Sequence, residues 1–162
     1  LEGWVKRVRS LQRHSSGLVW QRMDSLTGHP LDAPRGSGTG LAAYFAGFVD
    51  RALARELTDA LLEHERTLLG FGAIAEYAAG YDGAGDVDSG PVILGVSVAA
   101  TGFALAVAHA HRREAAFTEL YRTTELFGVL HRDSSRARFV TGGPIGNALL
   151  LAMLTSGPEL AP

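Results

Sequence analysis

Apolar residues along this chain fall into two kinds of run, and the two kinds alternate. From Leu1 to Arg13, Trp4, Val5, Val8 and Leu11 recur at helical spacing with Lys6, Arg7, Arg9 and Arg13 around them. That pattern predicts a short amphipathic helix with a solvated basic face. Gly17 to Leu31 carries turn signals at Thr27-Gly28 and His29-Pro30 and predicts an extended ribbon or loop. Asp32 to Gly40, DAPRGSGTG, predicts a loop in which Ser37 or Thr39 caps a helix that starts near Leu41. That helix, to about Val49, is small, aromatic and uncharged, which predicts burial on most sides. Asp50 to Leu69 differs: Leu53, Leu57, Leu61 and Leu68 recur near helical spacing while Arg51, Arg55, Glu56, Asp59, Glu63 and Glu65 cover the rest, as on an outer helix.

The alternation repeats. Pro91 to Ala110 predicts a nearly all-apolar helix at least from Gly95, and Arg112 to Gly128 predicts an amphipathic one, with Phe117, Leu120, Tyr121, Thr124 and Phe127 three or four apart. A polar connector, His131 to Arg138, leads to a last apolar helix from Gly146 to about Leu154. The turns from apolar to amphipathic helix are tight, whereas each return passes through a long glycine-rich loop of the kind that carries function or closes a cleft. The pattern therefore predicts an all-α domain spanning residues 1–162, with inner and outer helices forming about half of an (α/α)6 toroid and possible short β-hairpins in the loops. An incomplete ring would expose its apolar inner face, so the missing N-terminal half or a second subunit is the expected partner. A compact irregular helical bundle is the plainer alternative.

Composition narrows the functions. At 46% hydrophobic the chain can bury a substantial core, and a formal charge of −2 with a pI near 6.3 offers no global positive field to nucleic acid. The absence of cysteine removes disulfides, thiolate nucleophiles and cysteine-ligated zinc, without fixing the compartment. Pro91 to Ala108 has the length of a membrane span, but its glycine, serine and threonine argue against a stable one. No signal peptide is visible, and a start at Leu1 rather than methionine leads us to expect that an earlier portion is missing. A soluble protein, with the cytoplasm slightly preferred, is the expectation.

Candidate chemistry centres on Tyr81 to Ser97, YDGAGDVDSGPVILGVS, where a glycine-rich acidic loop runs into an apolar segment. Asp86 and Asp88, with Glu76 upstream, are the candidate catalytic carboxylates: one held neutral could protonate a leaving oxygen while a second accepts a proton. The plainer reading is that these aspartates bond to their own loop. A calcium loop beginning at Asp82 fails at its twelfth position, Ile93. Arg35 could clamp a substrate carboxylate or, as we prefer, pair internally with Asp86 or Asp88. Tyr44, Tyr77 and Tyr81 are candidate substrate-lining residues. Ser37-Gly38-Thr39-Gly40 is not a phosphate-binding Walker loop, since no Gly-Lys-Ser/Thr follows. His109 and His111, two apart, face different ways on a helix, so no joint metal site is expected, nor any cofactor.

LDAPRGSGTGLAAYF (Leu31 to Phe45), GFGAIAEYAAG (Gly70 to Gly80), GAGDVDSGPVILGVSVAATGFALA (Gly83 to Ala106) and RFVTGGPIGNALLLAM (Arg138 to Met153) together resemble the C-terminal part of bacterial alpha/alpha-toroid proteins of the linalool dehydratase-isomerase-like group. The resemblance covers roughly Gly17 to Leu154 and implies kinship in architecture with six-hairpin glycosidases and terpene cyclases. Three functions stay open: a lyase or isomerase whose cavity takes an apolar, terpenoid-like small molecule; a carbohydrate-active enzyme, for which Trp20 is the tryptophan nearest a loop; and a non-catalytic fragment or interaction subunit.

Overall fold

A computed structural model describes residues 2–87 and 89–155. The all-α expectation is wrong: among the described residues six helices, 49% of those residues, are joined by strands, 20% of them, in four small antiparallel sheets. Helix α1 (Glu2–Arg7) runs into a π-helical turn (Val8–Gln12) and is followed by β1 (Val19–Trp20), β2 (Pro34–Arg35), α2 (Gly36–Ala46) and α3 (Arg51–Leu62). Then come β3 (Glu65–Leu68), β4 (Phe71–Ile74), β5 (Gly85–Asp86), β6 (Gly90–Ile93) and β7 (Val96–Ser97). The chain continues through α4 (Val98–Ala110), α5 (Glu114–Gly128), β8 (Leu130–Arg132), β9 (Ala137–Phe139) and α6 (Gly143–Thr155). The connections expected as long glycine-rich loops with possible short β-hairpins are thus hairpins and a three-stranded sheet, β5-β6-β7.

Each correction has a local cause. The helix expected to run to Leu69 stops at Leu62, because Glu65–Leu68 and Phe71–Ile74 pair as a hairpin in the register Glu65↔Ile74 to Leu68↔Phe71. Its two-residue turn puts Leu69 and Gly70 at φ 53° and 79°, the left-handed pair that closes tight hairpins. The stretch before α4 is likewise a hairpin, β6–β7, turning at Leu94-Gly95, and α4 begins only after Ser97, whose Oγ accepts from the Ala100 N–H at 3.0 Å. Conversely, Gly36 to Gly40, read from its glycines as loop, is the first turn of α2. Close packing outweighs the low helix propensity of glycine here: a Cβ at Gly40 would stand 2.7 Å from Phe103 Cβ, and one at Gly36 would collide with the Ala75 carbonyl. Neither Ser37 nor Thr39 caps this helix. Thr39 Oγ1 donates to the Arg35 carbonyl and accepts from the Val19 N–H, tying β1 to α2.

The core lies where α2 meets α3 and α4 and where α4 meets α5. Leu53, Leu57 and Leu61 of amphipathic α3 and Leu120 of α5 close over Ala43, Ala46, Ala104 and Leu105. Asp50 caps α3, accepting from the Leu53 N–H at 2.9 Å. α6 departs from expectation in burial rather than position: it is free of charge, packs on α4, and buries none of its residues.

These packing arguments separate two substitutions. Gly40→Ala should lower unfolding free energy by about 1–3 kcal/mol, since α2 and α4 must move apart. Leu69→Gly should raise it by about 1 kcal/mol by relieving the left-handed backbone. Urea denaturation of both variants measures the difference in sign.

Candidate functional site

Arg35 ends β2 and is fixed from both sides, opposite Val19 in the β1–β2 ladder and by a bridge to Tyr77. Only 2% of it is exposed. Its guanidinium meets two carboxylates. Nε donates to Glu76 Oε1 at 2.7 Å, while Nη1 and Nη2 donate to Asp86 Oδ2 and Oδ1 at 2.5 and 3.1 Å. Asp32 Oδ2 is 4.0 Å from Nη1, and the Tyr77 ring centroid lies 5.4 Å from the guanidinium carbon. Burial works against the arginine's charge, but the hydrogen bonds to Asp86 and Glu76 outweigh it and the proton is held more tightly than in a free arginine.

Glu76 is wholly buried just beyond β4. Its backbone bridges two elements, donating to the Gly95 carbonyl at 3.0 Å and accepting from the Gly36 N–H at 2.7 Å. Oε1 also accepts from Ser37 Oγ at 2.6 Å, the bond that diverts Ser37 from capping, whereas Oε2 has no hydrogen-bond partner among the described residues. The side chain of Asp86 is 47% exposed. Its loop is closed reciprocally: the Asp86 N–H donates to Ser89 Oγ at 2.9 Å and the Ser89 N–H to Asp86 Oδ1 at 3.0 Å. Asp88 lies outside the described residues.

The structure thus joins Arg35, Glu76, Asp86 and Tyr77 in one cluster. Tyr77 and Tyr81 line a neighbouring cleft of about 550 Å³ with His64, Glu65 and Asp82. Tyr81 also stands nearly perpendicular to His14 and Trp20, with ring centroids 5.5 and 5.9 Å away, so Trp20 belongs to the aromatic rim beside this cleft. Tyr44 is not part of the group. It packs with Phe45 and Phe48 towards the other end of α2, about two helical turns from Arg35.

Glu65 is a residue that the sequence reading passed over. Burial, and then the charge of Glu119 on α5, pushes its carboxyl up to about 7. A period-two reading of Glu65 to Ile74 around Leu69-Gly70 could have found the hairpin, but the leucines of α3 extended the helical pattern across it. Among the described residues no three His, Cys, Asp or Glu side chains come together as a metal site, and no helix is long and apolar enough to cross a membrane.

Compared with models of known protein families and with curated protein sequences, the chain matches none.

The geometry ranks the cluster's hydrogen bonds. Ser37→Ala should cost about 1–3 kcal/mol, because water cannot replace the donor lost to wholly buried Glu76. Asp86→Asn should cost about 1 kcal/mol or less, because half-exposed Asp86 is partly solvated in both states. Chemical denaturation of the two variants checks the order.

Proposed function

We propose that this chain is an interaction subunit whose apolar helices α2, α4 and α6 dock against a second copy of the same surface. The observation that carries this reading is α6. Its thirteen residues, GPIGNALLLAMLT, include no charge, and every one is at least partly exposed, with Ile145, Leu149 and Leu151 strongly so. A helix apolar on all sides belongs in an interior, and water is its unfavourable neighbour at about 25 cal/mol per Å². The same holds for the stripe Leu41, Phe45 and Phe48 on and just beyond α2 and for Val98 at the start of α4, which lies between the other two helices. α2 and α6 carry no charged residue and α4 only His109, so two such faces meet without like-charge repulsion, as a two-fold interface requires.

A cavity enzyme is the second reading, acting on a terpenoid-like or carbohydrate substrate. The cleft beside Tyr77, Tyr81 and Trp20 favours it, as does the resemblance to the linalool dehydratase-isomerase-like group. In it Asp86, the more exposed partner of Arg35, orients substrate or accepts a proton. Glu76 positions Arg35 from its buried site.

Sedimentation velocity over a concentration series tests the interaction reading. The expected result is a dimer that Phe45→Glu and Leu149→Glu each weaken by about 2–4 kcal/mol, one to three decades in Kd, with unchanged thermal melts. A monomer at every concentration, or a dimer indifferent to both substitutions, would overturn it.

A further inference from the structure

Glu65 of β3 and Glu119 of α5 close on Gly72 from two sides where the β3–β4 hairpin leans on α5. Glu65 projects from β3 across Gly72, so closely that a Cβ at Gly72 would collide with Glu65 Oε1 and stand 3.0 Å from Glu119 Cβ. Glu65 Oε1 is buried and has no hydrogen-bond partner among the described residues. Glu119 Oε2 accepts from Thr67 Oγ1 at 2.9 Å, so the hairpin already bonds one carboxylate of the pair.

We propose that Glu65 and Glu119 form a proton-operated latch: with Glu65 protonated the hairpin is held to α5, and with both groups ionised it is released. A neutral Glu65 carries an O–H that can be donated to the Glu119 carboxylate, whereas two carboxylates in this gap repel and leave Oε1 desolvated without compensation.

Among the described residues neither carboxylate has an ion-pair partner. From α5 the charged groups on this side are Glu119 and Arg122, and the Arg122 guanidinium is turned to the Gly70 carbonyl at the hairpin's tip, 3.5 Å away. The influences on Glu65 are burial and Glu119. β4 presents Gly72 and Ile74, neither titratable. On β3 itself Arg66 is committed elsewhere, donating to the Leu94 carbonyl at 2.9 Å, and just before β3 His64 bonds the Ser16 carbonyl at 3.0 Å. α4 meets β4 through Thr101, whose Oγ1 accepts from the Ile74 N–H at 3.1 Å.

The sign follows from a carboxyl raised from the ordinary 4.5 to about 7. The folded hairpin holds its proton through a pH range in which the opened hairpin has lost it. Local stability is therefore greatest below about pH 4.5, falls as pH rises towards 7, and is level above that. The hairpin also supplies Glu65 and Arg66 to the wall of the cleft, with Ala75 just beyond β4, so the latch couples the shape of that cleft to pH in the near-neutral range.

Hydrogen exchange of the whole chain, corrected for the intrinsic pH dependence of exchange, tests this. Protection factors of the β3–β4 amides should fall about tenfold between pH 5 and 8, while those of α2 and α3 hold. In Glu65→Gln, which keeps shape and hydrogen-bonding capacity, and in Glu119→Gln, which removes the opposing charge, the fall should shrink to about twofold or less. A wild-type hairpin with constant protection across that range would overturn the latch, as would an undiminished tenfold fall in Glu65→Gln.

Discussion

Arg35 is the joint on which this structure depends. A guanidinium taken out of water is costly unless its N–H groups find acceptors, and here the acceptors come from two distant stretches of chain, Glu76 beyond β4 and Asp86 in β5. Satisfying that one group brings the β3–β4 hairpin and the glycine-rich acidic loop against the start of α2. Glu76 reinforces the arrangement through its backbone, which bridges Gly36 and Gly95. The network is worth more as a positioning device than as a source of stability, since a buried pair of this kind returns little beyond its own desolvation cost.

That role changes how the acidic loop is understood. Carboxylates beside glycines suggest chemistry, and an acid held neutral is the form such chemistry needs. Glu76 and Asp86 instead both bond the Arg35 guanidinium. The carboxyl shifted towards neutrality is Glu65, in the hairpin, where burial and Glu119 act together. What remains exposed and unsatisfied on the molecule is apolar: α6, the Leu41, Phe45 and Phe48 stripe, and the leucine at the hairpin turn, 90% exposed at Leu69.

The legible part of the fold was its helices. Helical spacing located α3 and α5, and a nearly all-apolar run located α4, because their apolar residues meet one core. Strands of two to four residues escaped, since so short a run carries no period, and the turns that define them use Leu69-Gly70 and Leu94-Gly95 rather than Asn-Gly. Gly36 to Gly40 misled in the opposite direction: its glycines are there for the approach of Phe103 and the Ala75 carbonyl, a tertiary demand invisible in the local sequence. At the site, the preference for an internal ion pair of Arg35 with Asp86 or Asp88 matches the contact with Asp86, and Tyr77, expected as a substrate-lining residue, lies beside the guanidinium. Tyr44 was grouped with them on residue type alone, and Glu65 was hidden by the helix assigned across it.

The central claim is that Arg35 and Glu76 act as one unit, and a double-mutant cycle of Arg35→Met, Glu76→Leu and the double variant measures it most directly. Arg35→Met leaves the Glu76 carboxylate buried without its cation and should cost about 3–5 kcal/mol, Glu76→Leu leaves the guanidinium only Asp86 and should cost about 2–4 kcal/mol, and the double variant should be no worse than the costlier single, giving a coupling of about 2–4 kcal/mol. Additive losses, with a coupling near zero, would contradict the account, because the two side chains would then contribute independently and Arg35 would not be the joint.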